Sequence, residues 1–192
     1  MNTAHDNTPV LYRDCDSVLL SAEEISAMVD RIASEVQATY EKSDRRLVMV
    51  VILKGSMPFA ADLMKRLSLP MELEFMKVSS YGAGTKSSGE IKVSLDLNRD
   101  DLRDIDLLVV EDIVDSGRTL SRLTQLLKNR NAHSVRTCTL LDKPSRREVD
   151  FVPDFCGTAI PDEFVVGYGL DYNEKYRNLP FVGILKRSVY EH

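Results

Sequence analysis

Cysteine is scarce in this chain of 192 residues: Cys15, Cys138 and Cys156 are widely spaced, odd in number and without a CxxC pair. That excludes a disulfide framework and a thiolate zinc site, and a reducing cytoplasm is the expected setting. Histidine is equally rare. His5, His133 and His192 do not cluster in sequence, and there is no HExxH, GxSxG or GxxxxGK[ST] pattern. Zinc hydrolysis, a serine-elbow hydrolase and a P-loop are thereby set aside. An excess of positive charge is also missing, with 25 Lys and Arg against 30 Asp and Glu and a net charge of -5. This argues against a protein that coats nucleic acid or an anionic membrane, both of which need a basic surface. No segment approaches the ~18 uninterrupted apolar residues of a membrane span. The first ten residues, MNTAHDNTPV, carry no basic stretch leading into an apolar one, so a soluble, unexported protein is expected.

What remains is ordinary globular material, long enough for one domain with a real core and without repeats or linkers. Residues up to about Asp16 show no periodicity and are expected to form an N-terminal arm, with regular structure beginning at Ser21. From there Ser21 and Glu24 have capping-box spacing, and Ile25, Met28, Val29, Ile32, Ala33 and Val36 follow the stripe of an amphipathic helix. The run LVMVVILKGS reads as a strand buried on both faces, and MPFAADLMKRL as a short helix. MELEFMKV and EIKVSLDL alternate as strands of a hairpin-like arm, joined by the Gly- and Ser-rich SSYGAGTKSSG loop. IDLLVVE, RTLSRLTQLLKNR and VRTCTLL then give strand, helix and strand, the order of a parallel crossover. EFVVGYG and FVGIL are short strand candidates near the end of the chain. The predicted class is α/β, a parallel central sheet flanked by helices with a small appended lobe.

In such sheets ligands bind beyond the carboxyl ends of the strands. The stretch VVEDIVDSGRTL, Val109 to Leu120, sits at such an end. A solvated connection in which Asp115 or Ser116 caps the next helix accounts for one of its acids, not three. Asp115 through Thr119 opens a helix, so free N–H groups, the Gly117 backbone and the hydroxyls of Ser116 and Thr119 suit a phosphate monoester. Glu111 and Asp112 only accept hydrogen bonds, which suits the vicinal hydroxyls of a ribose, directly or through a divalent cation. A ribose 5-phosphate fits the whole segment.

Glu-Asp at a strand end followed by Asp-Ser-Gly-Arg-Thr resembles the phosphoribosyl pyrophosphate motif of type I phosphoribosyltransferases. From about Val10 to Tyr190 the chain is similar to the hypoxanthine-guanine phosphoribosyltransferases. Ser116 stands where that family often has Thr, and Arg118 where Lys and Arg alternate; neither removes a phosphate donor. The resemblance implies one domain over residues 1–192: an arm over about 1–16, a flexible active-site loop over about 80–89, and a purine-binding hood from about 150–192. It implies a 5-phosphoribosyl site of Glu111, Asp112, Ile113, Asp115, Ser116, Gly117, Arg118 and Thr119. Lys54, Gly55, Ser80, Tyr81 and Arg177 would hold diphosphate, with a Leu53–Lys54 peptide that can be cis and with Gly82 and Gly84 as loop hinges. Lys143, Phe164, Val165 and Asp171 would take the purine: the ammonium on the 6-oxo group, the ring stacked, the Val165 backbone reading its edge. Magnesium would lie on Glu111 and Asp112, with a second ion on Asp171, and Asp115 would be catalytic beside purine N7.

The activity so implied is purine salvage: transfer of the 5-phosphoribosyl group to N9 of hypoxanthine or guanine, giving IMP or GMP and diphosphate. Homodimers or homotetramers are implied by the same resemblance, and no nucleic acid or membrane partner. Other readings stay open at this level: a xanthine-, adenine- or pyrimidine-preferring relative, or a regulator of this fold that senses nucleotides or binds RNA. A phosphorylation-receiver domain also pairs acids after a strand, but near its start, whereas here the pair follows more than a hundred residues.

Overall fold

The computed structural model describes residues 10–80, 91–99 and 101–191. A six-stranded sheet forms its centre, in the order β4-β3-β2-β5-β6-β7. These strands are β2 (Arg46–Ile52), β3 (Met71–Ser80), β4 (Ile91–Leu95), β5 (Ile105–Val114), β6 (Ser134–Asp142) and β7 (Phe155–Ala159). Only β4 runs antiparallel to its neighbour. The expected hairpin-like arm is therefore β3 and β4, at one edge.

The continuous apolar runs follow from burial on both faces. Met49 and Val51 of β2 and Leu108 and Val110 of β5 join one core layer, with Phe59 and Leu63 of α3 (Met57–Met64) and the stripe of α2 (Ala22–Tyr40). Val48, Val50 and Ile52 with Leu107 and Val109 join the other, against Leu120, Leu123 and Leu127 of α4 (Arg118–Asn129). Alternation at period two thus sends neighbouring residues to opposite helices. The α2 start is a full capping box: Glu24 N–H donates to Ser21 Oγ at 3.2 Å and Ser21 N–H to Glu24 Oε2 at 2.8 Å.

A second, smaller sheet stands apart, in the order β1-β9-β8. It joins β1 (Cys15–Leu20) to β9 (Val182–Leu185) and β8 (Val165–Val166), flanked by α1 (Val10–Arg13) and α5 (Arg187–Tyr190). Regular structure therefore starts before Ser21, and part of the expected arm is a strand of the appended lobe. β1 is exposed over half its length, in one run without alternation, which hid it in the sequence. β7 was not expected either; its Gly157 lies so close to β6 that a Cβ would sit 2.1 Å from the Leu140 carbonyl oxygen. EFVVGYG shrinks to the two residues of β8, because Gly167 and Gly169 turn the chain with φ of 97° and 101°. Among the described residues no helix is long and apolar enough to cross a membrane. Except for Ser80, the loop expected over 80–89 lies outside the described residues.

Candidate active site

Strand β5 runs on past the core through Glu111, Asp112 and Ile113 to Val114, so the acid pair ends the strand rather than entering the loop. Asp115, Ser116 and Gly117 make the turn into α4, where Gly117 has φ 79° and a Cβ would lie 2.9 Å from Arg147 Cδ. Only glycine fits both conditions comfortably. The segment after β6 folds over this turn: Lys143 N–H donates to the Val114 carbonyl at 2.8 Å and Glu148 N–H to that of Ser116 at 3.0 Å. Arg147 ties it down further, donating to the Asp115 carbonyl and the Asp142 carboxylate.

Two cavities meet at Asp115. One, of about 190 Å³, is lined by Ser79, Glu111, Ile113, Ser116, Gly117 and Thr119 together with Asp115. The other, of about 310 Å³, is lined by Lys143, Arg146, Asp162, Phe164 and Tyr190 together with Asp115. A larger hollow of about 440 Å³ lies at the opposite end of the sheet, beside Tyr40, Arg45, Arg46 and Glu72. Its arginines are already paired, Arg46 with Glu72 and Arg45 with Asp104, and it lies at the amino ends of β2 and β3, away from the acids. Glu111, Asp115 and Lys143 line the smaller pair.

The acids are electrostatically unfinished. Burial, with the charge of Asp112 added, pushes the Glu111 carboxyl well above its ordinary range, and one of its oxygens is enclosed without a hydrogen-bond partner. Burial also pushes Asp112 up to about 6, against the Ile113 N–H that donates to it at 2.7 Å. The backbone of Gly55 packs on that carboxylate so tightly that a Cβ would come within 1.6 Å of Asp112 Oδ2. Such a pair of hard oxygen donors suits a divalent cation that keeps water or substrate oxygens on its other side.

Lys54 follows β2 across a cis Leu53–Lys54 peptide and reaches Glu174 Oε2 at 2.9 Å. Arg177 lies 2.9 Å from Asp171 Oδ1 and donates to the Gly169 carbonyl at 2.8 Å. Ser80 ends β3, opposite Ile91 of β4, and Tyr81 lies outside the described residues. Lys143 is nearly enclosed and donates to the Glu163 carbonyl at 2.7 Å. Phe164 stacks on Tyr190 with centroids 4.9 Å apart and meets the Tyr172 ring edge-on at 5.5 Å. Val165 is buried in β8 opposite Ile184. Thr119 lines the smaller cavity and Arg118 pairs outward with Glu148 at 2.5 Å.

Of the expected residues, Glu111, Ile113, Asp115, Ser116, Gly117, Thr119, Lys143 and Phe164 line the two cavities, whereas Lys54, Gly55, Ser80, Asp112, Arg118, Val165, Asp171 and Arg177 line neither. Asp171 does not line the larger cavity; it is joined to Arg177 and caps a turn by accepting from Glu174 N–H at 2.9 Å. Nor do Glu111, Asp112 and Asp171 close into a three-acid cluster, since none able to hold a metal ion occurs among the described residues. The charge of Asp171 is nevertheless felt at Asp112, which it raises. Among the residues around the cavities, Ser79, Arg146, Asp162, Glu163 and Tyr190 were missed, as was Glu174 beside Lys54. Arg146 had a faint signal, lying three residues after Lys143; Asp162, Glu174 and Tyr190 had none.

The phosphoribosyl transferase domain family matches residues 17–173. The hypoxanthine-guanine phosphoribosyltransferase of Bacillus subtilis is 48% identical over 182 residues, 95% of this chain and 99% of its own length. The chain belongs to this family. A crystal structure of a hypoxanthine phosphoribosyltransferase from Staphylococcus aureus superposes with a TM-score of 0.91 at 43% identity, over 97% of this chain and 100% of that one. The bifunctional protein TilS/HprT of Listeria monocytogenes is 49% identical over 180 residues, but the chain spans only 27% of that relative's length. The mixed α/β fold with its mostly parallel sheet is thus the phosphoribosyltransferase fold, as the sequence resemblance implied.

Proposed function

We propose that this phosphoribosyltransferase transfers the 5-phosphoribosyl group of phosphoribosyl pyrophosphate to N9 of hypoxanthine or guanine, giving IMP or GMP and diphosphate. The observation that carries this reading is the position of Asp115 between the two cavities. One cavity is walled by the opening turn of α4, whose backbone donors suit the 5-phosphate, with Ile113 and Ser116 to Thr119 around it. The other ends on Lys143, which can only donate, and so matches the 6-oxo group of hypoxanthine or guanine and not the amino group of adenine. Phe164 offers its ring to the purine and Val165 its backbone.

The residues divide the chemical work. Asp115 accepts or shares the N7 proton as N9 becomes nucleophilic toward C1 of the ribose. Lys54, Gly55, Ser80, Tyr81 and Arg177 receive the leaving diphosphate, while Glu111 and Asp112 hold the ribose hydroxyls and face the positive charge that develops at C1. Glu111 and Asp112 would hold a magnesium ion, and Asp171 a second, whose charge would neutralise the diphosphate; the unpartnered oxygen of Glu111 supports the first of these placements.

A reducing cytoplasm is supported by three unpaired cysteines. A homodimer or homotetramer is supported by the exposed large apolar side chains of Met57 and Met64 on α3 and of Leu73 and Phe75 on β3. The test is incubation with phosphoribosyl pyrophosphate, magnesium chloride and, separately, hypoxanthine, guanine, xanthine and adenine, with products resolved by chromatography. IMP or GMP is expected, and none in the presence of EDTA. No nucleotide from any base overturns the reading.

A further inference from the structure

The cations assigned to diphosphate already hold an anion of the chain's own. Glu174 Oε2 lies 2.9 Å from Lys54 Nζ and 3.4 Å from Arg177 Nη2. One carboxylate oxygen thereby joins the loop after β2 to the segment that leads into β9. No other acid among the described residues is paired with Lys54 in this way. Lys54 is the main partner of Glu174, since Arg177 Nη2 is shared with the Asp171 carboxylate, which lies closer at 2.9 Å and also accepts from the Glu174 N–H.

The backbone gives no reason for a glutamate here. Tyr172 and Lys175 exchange backbone hydrogen bonds of 3.3 and 3.0 Å around Asn173 and Glu174, which have φ of 51° and 63°. Two left-handed residues between paired ends make a type I′ reversal, whose second position favours glycine. Glu174 holds that position against its own steric preference. With 65% of the side chain exposed, it gains no packing in return. A departure from local turn chemistry with no packing gain points to the carboxylate itself as what matters at this position.

We infer that Glu174 is an internal stand-in for diphosphate: it holds Lys54 and Arg177 in place while the site is empty, yields them to the incoming diphosphate group, and takes them back as diphosphate leaves. This makes it a positioning residue, and the inference rests on the assignment of Lys54 and Arg177 as the diphosphate cations. Binding becomes an exchange of one anion for another, so affinity for diphosphate is lowered and its release is assisted.

The test is calorimetric titration of inorganic diphosphate, with magnesium chloride present, into the wild-type protein, Glu174→Gln and Glu174→Gly. Gln keeps the size without the charge, and Gly suits the turn, so at least one variant folds as well as the parent. Both are expected to bind diphosphate about threefold to tenfold more tightly, from the loss of the exposed Lys54 pair and the longer Arg177 contact that the ligand otherwise breaks. The gain should shrink in 0.5 M salt, because exposed pairs are screened. In turnover, KM for phosphoribosyl pyrophosphate should fall while KM for the purine holds, a split that a merely structural role would not produce. Equal or weaker diphosphate binding in both variants overturns the role of Glu174 and leaves the assignment of Lys54 and Arg177 standing. If the wild-type protein itself binds no diphosphate, that assignment fails and the inference falls with it.

Discussion

Asp115→Asn separates chemistry from folding at the residue shared by both cavities. The carboxylate is half-exposed and accepts from Arg146 Nε at 2.9 Å, so asparagine, of the same shape, can still accept there. An exposed pair of this kind is worth ~0.2–1 kcal/mol, which for a chain of this size moves the melting temperature by at most about 4 °C. The rate should respond on another scale. An amide cannot take the N7 proton, and positioned proton-transfer groups contribute ~10²–10⁴-fold, about 2.7–5.4 kcal/mol of barrier. KM for phosphoribosyl pyrophosphate should change little, because the backbone donors of the α4 turn are untouched. The assay is steady-state formation of IMP from hypoxanthine, run beside a thermal melt of the same preparation. A kcat within about twofold of the parent, in a folded variant, would refute the assignment of Asp115 as the proton-handling group.

Lys143→Ala should lower kcat/KM for hypoxanthine by about 10- to 100-fold, the worth of a charge-assisted hydrogen bond to a nearly enclosed lysine, measured by initial rates at subsaturating base. Leu123→Ala removes a fully buried side chain of α4 and should cost ~2–5 kcal/mol in urea unfolding. Asp106 is buried at the start of β5, where burial opposes its charge but His133, Ser134 and Ser43 outweigh that and hold its carboxyl below the ordinary range. A depressed folded value means stability that is present above the unfolded value of ~3.9 and lost as pH falls through the folded one. Wild-type stability should therefore drop below about pH 4, and Asp106→Ala, less stable at pH 7, should show a shallower drop; parallel curves would refute the linkage.

Much of the central sheet was legible because burial on both faces writes itself as unbroken apolar runs. β2 and β5 are of that kind, and the capped stripe of α2 was as plain. The small sheet was not, because β1 is half exposed without alternation and β8 is two residues long, cut off by the turning Gly167 and Gly169 that follow it. In the site, Glu111, Asp112 and Asp115 were legible because three acids at a strand end exceed what capping needs. Tyr190 was not, since its place over Phe164 depends on α5 returning across the hood from the far end of the chain. Arg146 and Glu174 were hidden for a different reason: each matters through a partner, Asp115 or Lys54, that sequence distance conceals.

That last class has a common consequence for energetics. Lys143 donates to the Glu163 carbonyl, Arg146 to Asp115, and Lys54 and Arg177 share Glu174. Each of these cations thus has an internal acceptor, whereas the Glu111 and Asp112 carboxylates have no ion-pair partner of comparable closeness. Substrate binding at the cationic positions is then exchange of one acceptor for another, worth little net, since the free site forfeits a bond for each one gained. At the acids it is new compensation for charges that burial has left exposed to their own repulsion. Most of the affinity for phosphoribosyl pyrophosphate should accordingly enter through the Glu111 and Asp112 side and whatever cation accompanies it, while Lys143 and Phe164 govern which base is accepted rather than how tightly the donor is held.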